Sequence, residues 1–399
     1  MSNDLLAKLG IQFDSPFLDE ALEAVENTPV PEWLTQAYLE DLEREYQLFG
    51  SDADAIFAAA RQVAKTPALC LFAKILHYIV GKRAGFSKSF PCLKLNAEIE
   101  ESFVALFPVA AYVRASSDAL RARGVPEDIV LDTLNFLRRN ITESHEKLGK
   151  PGFTRYALSI YSVYLFTRFL WIGRLRFEIH TGFDRCVRAF ANENNEVCTL
   201  MCDTMLHKGG NILGAIGCTD EEGAYDANFV ETDTYYEGYP VDPETALAKS
   251  ERVRLDKSQW RPILSPGDTL LKLHIPGGGP LDMDACQTAH KRAREVFKRC
   301  YPEYDFKGLV GNTWLFCPLL QKVLREDSNT VRYQKLYHLF PSKNDASTVF
   351  LYVFDMEVKS ADEVDAAALP ENNSMQRGVK KLLLEGNYLH QFNGFIPYL

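Results

Sequence analysis

The sequence predicts an α+β protein in two parts, a helical front half and a back half in which a mixed β-sheet is flanked by helices. Three observations predict it. Up to about residue 150 the apolar residues recur at helical spacing. From Gly173 the period becomes two, with Leu175, Phe177 and Ile179 alternating with Arg174, Arg176 and Glu178. Residues 269–300 then read as strand, glycine turn and helix, and the back half is organised around them. The clearest punctuation between the parts is Gly149, Pro151 and Gly152, which divides the chain into a helical domain, 1–150, and a second domain, 151–399.

In the front half, residues 16–25 place Phe17, Leu18, Ala21, Leu22 and Val25 on one face. Residues 31–49 do the same with Leu34, Ala37, Tyr38, Leu42, Tyr46 and Leu48. Residues 52–64 are alanine-rich. Thr66 and Pro67, an N-cap followed by proline at the first helical position, open an almost wholly apolar helix over 68–80 that suits the centre of a bundle. Residues 95–120 supply one or two helices with Pro108 as break or kink, and 126–148 another. An aromatic-rich helix is expected over 153–170. Its apolar run between Arg155 and Arg168 is 12 residues long, short of the roughly 20 a bilayer span requires.

In the back half, strands are expected at 174–179, 185–191, 195–201 and 211–216, then a polar loop at 217–226 and a β-branched, aromatic segment at 228–240. Beyond the organising stretch come a strand at 305–316, a short helix at 319–325, a helix at 329–340, a strand at 348–358 and a helix at 374–385.

The 399 residues suffice for two domains, and 46% hydrophobic with 25% charged residues is ordinary globular composition. A net charge of −10 argues against nucleic acid as partner, which needs a basic footprint. The nine cysteines are odd in number and scattered, with no CxxC pair, and Cys198 and Cys202 have no second pair to complete a zinc site. Reduced thiols in the cytoplasm are therefore expected, with no metal. The first residues lack a basic-then-apolar leader, and with the most apolar run too short for a span no membrane partner is expected. The serine-hydrolase elbow, the zinc-protease helix, the lysine-containing phosphate loop and the dinucleotide fingerprint are all missing.

Within 269–300, Leu271, Leu273 and Ile275 fall on one side of the strand and Leu270, Lys272 and His274 on the other. Pro276 ends the ladder because it has no N–H. Gly277, Gly278 and Gly279 follow, then Asp282 as N-cap. A glycine turn feeding a helix N-terminus offers free N–H groups and the positive end of the helix dipole. That suits a phosphate, and equally a plain strand-to-helix turn.

The segment HIPGGG, residues 274–279, can be laid on the pyrophosphate-loop pattern of GNAT acyltransferases: Gln or Arg, two residues, Gly, one residue, Gly or Ala. Gly277 and Gly279 match, and His274 stands where Gln or Arg is usual. Together with GRLRFE (173–178), LHIPGGGPL (273–281), YPEYDFKGLVGNTWLFCPLL (301–320) and REDSNTVRYQKLYHLF (325–340), the chain resembles a family of bacterial acyltransferase domain-containing proteins. Those carry a helical N-acyltransferase N-terminal domain and a GNAT-like C-terminal domain. The family commonly has a SWLLDP-like sequence where this chain has TWLFCP.

The resemblance implies acyl transfer from acetyl-CoA or another acyl-CoA to a small-molecule amine or similar acceptor. It places the thioester between two splayed strands, with Pro276 as a cause of the splay. Cofactor contacts would fall on Ile275, Gly277, Gly278, Gly279 and Leu281. Base candidates are His274 and Glu178, which would form a pair if their strands are neighbours. Otherwise His274 is a structural or pyrophosphate-contacting histidine, and Glu178 a salt-bridge partner of Arg174 or Arg176. Tyr337, eight residues after Asn329, and Tyr333 are acid candidates or packing residues. His290, Lys291, Arg292, Arg294, Lys298 and Arg299 on the following helix offer a cation for a 3′-phosphate or a solvated face. The acidic stretches 220–222 and 231–233 suit a cationic acceptor or a solvated surface. Two other readings stand beside this one: an acyl-carrier-protein donor, and a non-catalytic acyl-CoA-binding or scaffold protein of the same fold. The sequence does not speak to oligomeric state.

Overall fold

The computed structural model describes residues 2–10, 17–82, 101–153, 168–277, 279–343, 348–356, 358 and 364–399. The chain forms two compact units, Met1–Ile172 and Gly173–Leu399.

The first unit is helical: α1 (Ser2–Leu9), α2 (Leu18–Val25), α3 (Gln36–Tyr46), α4 (Ala53–Lys65), α5 (Pro67–Gly81), α6 (Glu101–Ala110), α7 (Val113–Ala122), α8 (Glu127–Leu134) and α9 (Phe136–Leu148). The apolar α5 is central as its composition demands, with Leu69, Phe72, Ile75, Leu76 and Val80 buried. Its buried Lys74 is compensated: the ammonium donates to the carbonyls of Val25 and Thr28, each at 2.8 Å, and so closes the end of α2. Pro67 occupies the first turn of α5, whereas the Thr66 hydroxyl donates back to the Gln62 carbonyl at 2.9 Å instead of capping forward. The stretch Phe103–Ala122 has the length and apolarity of a bilayer span, but most of it is buried within the unit.

Two expectations are corrected here. The helix expected over 126–148 is two helices, separated at Asn135, a weak helix former. Of the helix expected over 153–170, residues 154–167 lie outside the described residues. Its end is a strand, β1 (Phe169–Ile172), with all four residues buried and the Trp171 N–H donating to Thr133 Oγ1 at 2.9 Å.

The second unit contains β2 (Leu175–His180), β3 (Val187–Ala191), β4 (Val197–Met201), β5 (Met205–Leu206), β6 (Tyr225–Asp226), β7 (Val230–Glu231), β8 (Tyr235–Pro240), β9 (Val253–Asp256), β10 (Arg261–Leu264) and β11 (Thr269–His274). They are followed by α10 (Met283–Cys300), β12 (Phe306–Thr313), α11 (Asn329–Gln334), β13 (His338–Pro341), α12 (Thr348–Phe354), α13 (Ser374–Leu384) and β14 (Phe392–Pro397). One sheet runs β2-β11-β12-β14-β13, and a second runs β10-β3-β4-β8-β7 with β9 on β8. The first sheet is antiparallel except at β11–β12, which α10 joins as a parallel crossover. One face of it, through Leu270, Val310, Phe340 and Phe395, packs on Val187, Ala189, Met201 and Leu264 of the second sheet. The other face, through Phe177, meets His290 of α10.

Three strand–helix assignments are corrected. Residues 348–354 are helical, because Val349, Phe350 and Phe354 share one buried helical face while Leu351 and Tyr352 are exposed. The helix expected over 329–340 stops at Gln334 and gives way to β13, drawn into the sheet by β14. Residues 211–216 form isolated bridges rather than a strand, with Gly214 at φ +86°.

Candidate active site

β2 and β11 are antiparallel neighbours, with Lys272 opposite Glu178 and His274 opposite Arg176. Period-two alternation therefore puts Glu178, Lys272 and His274 on one face, the face away from α10. There His274 Nε2 lies 3.0 Å from Glu178 Oε2. The same oxygen is 3.9 Å from Lys272 Nζ. Burial alone would raise the Glu178 pKa, but the His274 hydrogen bond and the Lys272 charge bring it below the ordinary carboxylate value. An ionised Glu178 only accepts, so the proton of a neutral His274 sits on Nε2 and its basic lone pair on Nδ1. Burial, opposed by Glu178 and reinforced by the charges of Lys272 and Arg176, holds the His274 pKa below 6.5. The two base candidates thus form a pair, and Glu178 bonds His274 rather than Arg174.

Arg174 has a role that no local pattern announces. Its guanidinium donates to the carbonyls of Pro276, Gly279 and Pro280, each at 2.8 Å, and clamps the glycine turn from one side. Gly277 and Gly279 are exposed; a Cβ on either would meet nothing within 4 Å, and neither has a left-handed φ. The fold itself thus places no demand for glycine at these two positions, and the surface stays open to a close approach. Ile275 and Leu281 flank the turn half-buried, and Gly278 lies outside the described residues. Asp282 caps α10 by accepting from the Ala285 N–H at 2.8 Å. A helix rises about 1.5 Å per residue, so Lys298 and Arg299 sit at the far end of α10, where they favour its negative pole.

The parallel ladder between β11 and β12 pairs Leu271 with Leu309 and Lys272 with Val310, and then ends. β11 continues to His274 and β12 to Thr313, each still paired with its outer neighbour, β2 or β14, but no longer with one another. The ladder lapses before Pro276, after an irregularity between Thr269 and Leu271, so the opening begins earlier than proline requires.

On the α10 face of this opening lies a cluster of neutral groups. Tyr337 Oη is 3.0 Å from His290 Nε2 and donates to Tyr333 Oη at 2.5 Å. Both tyrosines are buried, at 7% and 1% exposure. Burial pushes the His290 pKa down to about 4 and raises both phenols, Tyr337 well above 10. The Phe316 ring packs on both tyrosines. It also occupies the space where a Cβ on Gly311 or Gly394 would stand, at 2.9 and 2.8 Å. Gln334 holds this turn, donating to the carbonyls of Leu315 and Cys317 at 2.7 and 3.0 Å. Ser328, not Asn329, caps α11 through the Val331 N–H, and Tyr337 lies past the helix end. His290 thus turns inward to the tyrosines, while Lys291, Arg294, Lys298 and Arg299 are exposed. Among the described residues no group of three His, Cys, Asp or Glu could hold a metal ion.

A mixed sheet whose central parallel pair opens beside a glycine turn and a helix N-terminus is the GNAT architecture, and comparison agrees. The chain belongs to the GNAT-like family: residues 169–396 match the GNAT-like C-terminal domain, and residues 37–157 match the N-acyltransferase N-terminal domain. It is a two-domain protein of the GNAT acyltransferase superfamily. Among solved structures it is similar to an acyltransferase in complex with decanoyl-CoA and teicoplanin (21% identity, TM-score 0.63), covering 100% of this chain and 99% of that one. It is also similar to an acyltransferase with CoA and 10C-teicoplanin (20%, 0.64, 100% and 99%) and to an acyltransferase mutant with octanoyl-CoA (20%, 0.63, 99% of each). At these identities the likeness is one of fold. The comparison with curated proteins returned no match.

Proposed function

We propose that the protein transfers an acyl group from acyl-CoA directly to an amine. The observation that carries this reading is the opening of the β11–β12 ladder with the His274–Glu178 pair on one face and Tyr337 on the other. The pyrophosphate would lie on the turn at Gly277–Gly279, braced from behind by Arg174, with Ile275 and Leu281 beside it. The thioester would then enter the gap.

The chemistry follows from the two faces. The amine nitrogen attacks the thioester carbon, forming C–N and breaking C–S. His274, oriented by Glu178, takes the amine proton, and Tyr337 gives its proton to the departing sulfur. Solvent then resets both groups. His274 is neutral and Tyr337 protonated at neutral pH, which is the pairing of states the reaction needs.

Calorimetric titration with acetyl-, octanoyl- and decanoyl-CoA tests the donor; the longer chains are chosen because the similar structures hold them. Saturable binding to at least one is expected. Gly277→Val should weaken it about tenfold to a hundredfold, while an exposed site with open space around it should change stability by less than about 0.5 kcal/mol. Unaltered binding in the variant would remove the turn from the donor site. A folded protein that binds no acyl-CoA would overturn the reading.

A further inference from the structure

We propose that the donor's acyl chain leaves the β11–β12 opening on the α10 side, along a trough made by Gly311 and Gly394, and that the Phe316 ring stops this trough. The protein then takes short acyl groups, and Phe316 sets their length. This rests on the acyl-transfer reading above and names the donor class for that site.

One row of residues crosses the α10 face of the sheet just past the point where the β11–β12 ladder ends. Leu273 of β11 lies opposite Phe177 of β2, Gly311 of β12 opposite Gly394 of β14, and Gly394 opposite Leu339 of β13. A Cβ on Gly311 would stand 3.3 Å from Leu273 Cγ, so these two face each other across the opening. One step back on the same face, alternation places Ile179, Leu271, Leu309 and Ile396. There β11 and β12 are still paired, and full-sized apolar side chains close the way along the strands. Neighbouring strands lie about 4.8 Å apart. Two adjacent glycines therefore make a trough about 10 Å long that runs across the strands from Leu273 toward Leu339.

The backbone does not ask for glycine at either place, since neither residue has a left-handed φ. Space asks for it.

One side chain takes that space. Phe316 Cε2 would stand 2.9 Å from a Cβ on Gly311 and 2.8 Å from one on Gly394, and the residue is 0% exposed. Its ring comes from the tight turn Trp314–Phe316, outside the strands. That turn is fixed on both sides of the ring: Thr313 Oγ1 accepts from the Leu315 N–H at 3.2 Å, and Gln334 holds the carbonyls of Leu315 and Cys317. Tyr337 backs the ring at 4.6 Å between centroids. The stop is thus one side chain on a rigid turn, and shortening it leaves the ladders of the sheet in place. The opposite face of the opening carries Glu178, Lys272 and His274, half-buried and charged. A methylene chain gains little there and much on the α10 side, where it can leave water. An acetyl group ends beside Leu273, and a longer chain runs into the ring.

The test is calorimetric titration of the full chain with acetyl-CoA and with octanoyl-CoA, for the wild type, Phe316→Ala and Phe316→Leu. The wild type should bind octanoyl-CoA no more tightly than acetyl-CoA. Phe316→Ala should favour octanoyl-CoA about tenfold or more, since each methylene buried in the vacated trough is worth about fourfold in affinity. Phe316→Leu should move the ratio the same way and by less, and it decides the question if Phe316→Ala does not fold. At equal saturating concentrations, octanoyl-CoA should also raise the unfolding midpoint of the variants more than acetyl-CoA does, because its chain refills the space the ring left. A wild type that binds octanoyl-CoA more tightly than acetyl-CoA, or a ratio unmoved in the folded variants, overturns the inference while the acyl-transfer reading stands. Binding of neither donor by the folded wild type overturns that reading and this inference with it.

Discussion

The two faces of the sheet at the end of β11 and β12 are furnished differently, one by residues of the strands themselves and the other by residues of α10, α11 and the turn after it, and they are opposite in character. On the α10 side Tyr333 and Tyr337 are buried and His290 half-buried, and the three are hydrogen-bonded to each other and electrically neutral. On the other side Glu178, Lys272 and His274 are half-exposed, and two of them are charged. Burial explains the first face: a phenol or imidazole deprived of water keeps its neutral form, so the cluster can hold a proton to give but not a charge to steer. Partial exposure and a carboxylate partner explain the second, which can accept a proton and attract an ion. A reaction that removes a proton from one atom and supplies one to another gains from having these environments on opposite sides of a gap.

The largest break in this comparison should come from His274→Ala. If His274 is the base, kcat should fall about 10²- to 10⁴-fold, with donor binding retained. Tyr337→Phe should also lower kcat, and by less, since solvent can protonate a thiolate. Only the histidine variant should lose the acidic limb of the kcat/KM profile. The measurement is steady-state CoA release against pH, and an intact acidic limb in His274→Ala would place the base elsewhere.

The charged face was legible in the sequence because its signal is local. Alternation over 175–179 and 271–275 put Glu178 and His274 on matching faces, and only strand adjacency remained to be learned. What bounds the site from elsewhere was not legible. Arg174 reaches carbonyls about a hundred residues on, and no local pattern announces it. β14 carries Asn393, Gly394 and Pro397, residues of low strand propensity, and is a strand because β12 and β13 pair with both its edges. Gly394 is there because Phe316 and Tyr337 leave no room for a Cβ. The apolar run at 348–354 is the converse case: its composition favours a strand, and packing on one buried stripe makes it a helix.

The neutral face should reveal itself in acid. His290 titrates near 4 in the folded chain, against about 6.5 when unfolded. The folded state therefore binds fewer protons than the unfolded one between those values, so its contribution is complete above about pH 6.5 and is lost as pH falls toward 4. The loss from this one group approaches about 3 kcal/mol. His77 in the first unit, stacked between Trp33 and Tyr112 and also lowered to about 4 by burial, adds a loss of the same sign. Denaturant unfolding at pH 7 and pH 4.5 should show the drop for the wild type, and His290→Gln should reduce it by about 2 kcal/mol. An unchanged drop would mean that His290 is not held neutral.

The finest test separates the two members of the charged pair. Glu178→Gln keeps an oxygen that can accept the His274 Nε2 proton and removes the charge. With His274 as base, the loss in kcat should be about tenfold, roughly 1.4 kcal/mol, because the tautomer survives and only the support for the imidazolium is gone. Glu178 holds the His274 pKa up against burial, so its removal should lower that pKa further and move the acidic limb to lower pH. Were Glu178 itself the base, the same substitution would cost as much as His274→Ala and abolish the limb rather than shift it. The direction of the limb in Glu178→Gln therefore assigns the proton to one partner or the other, on the face where the two stand 3.0 Å apart.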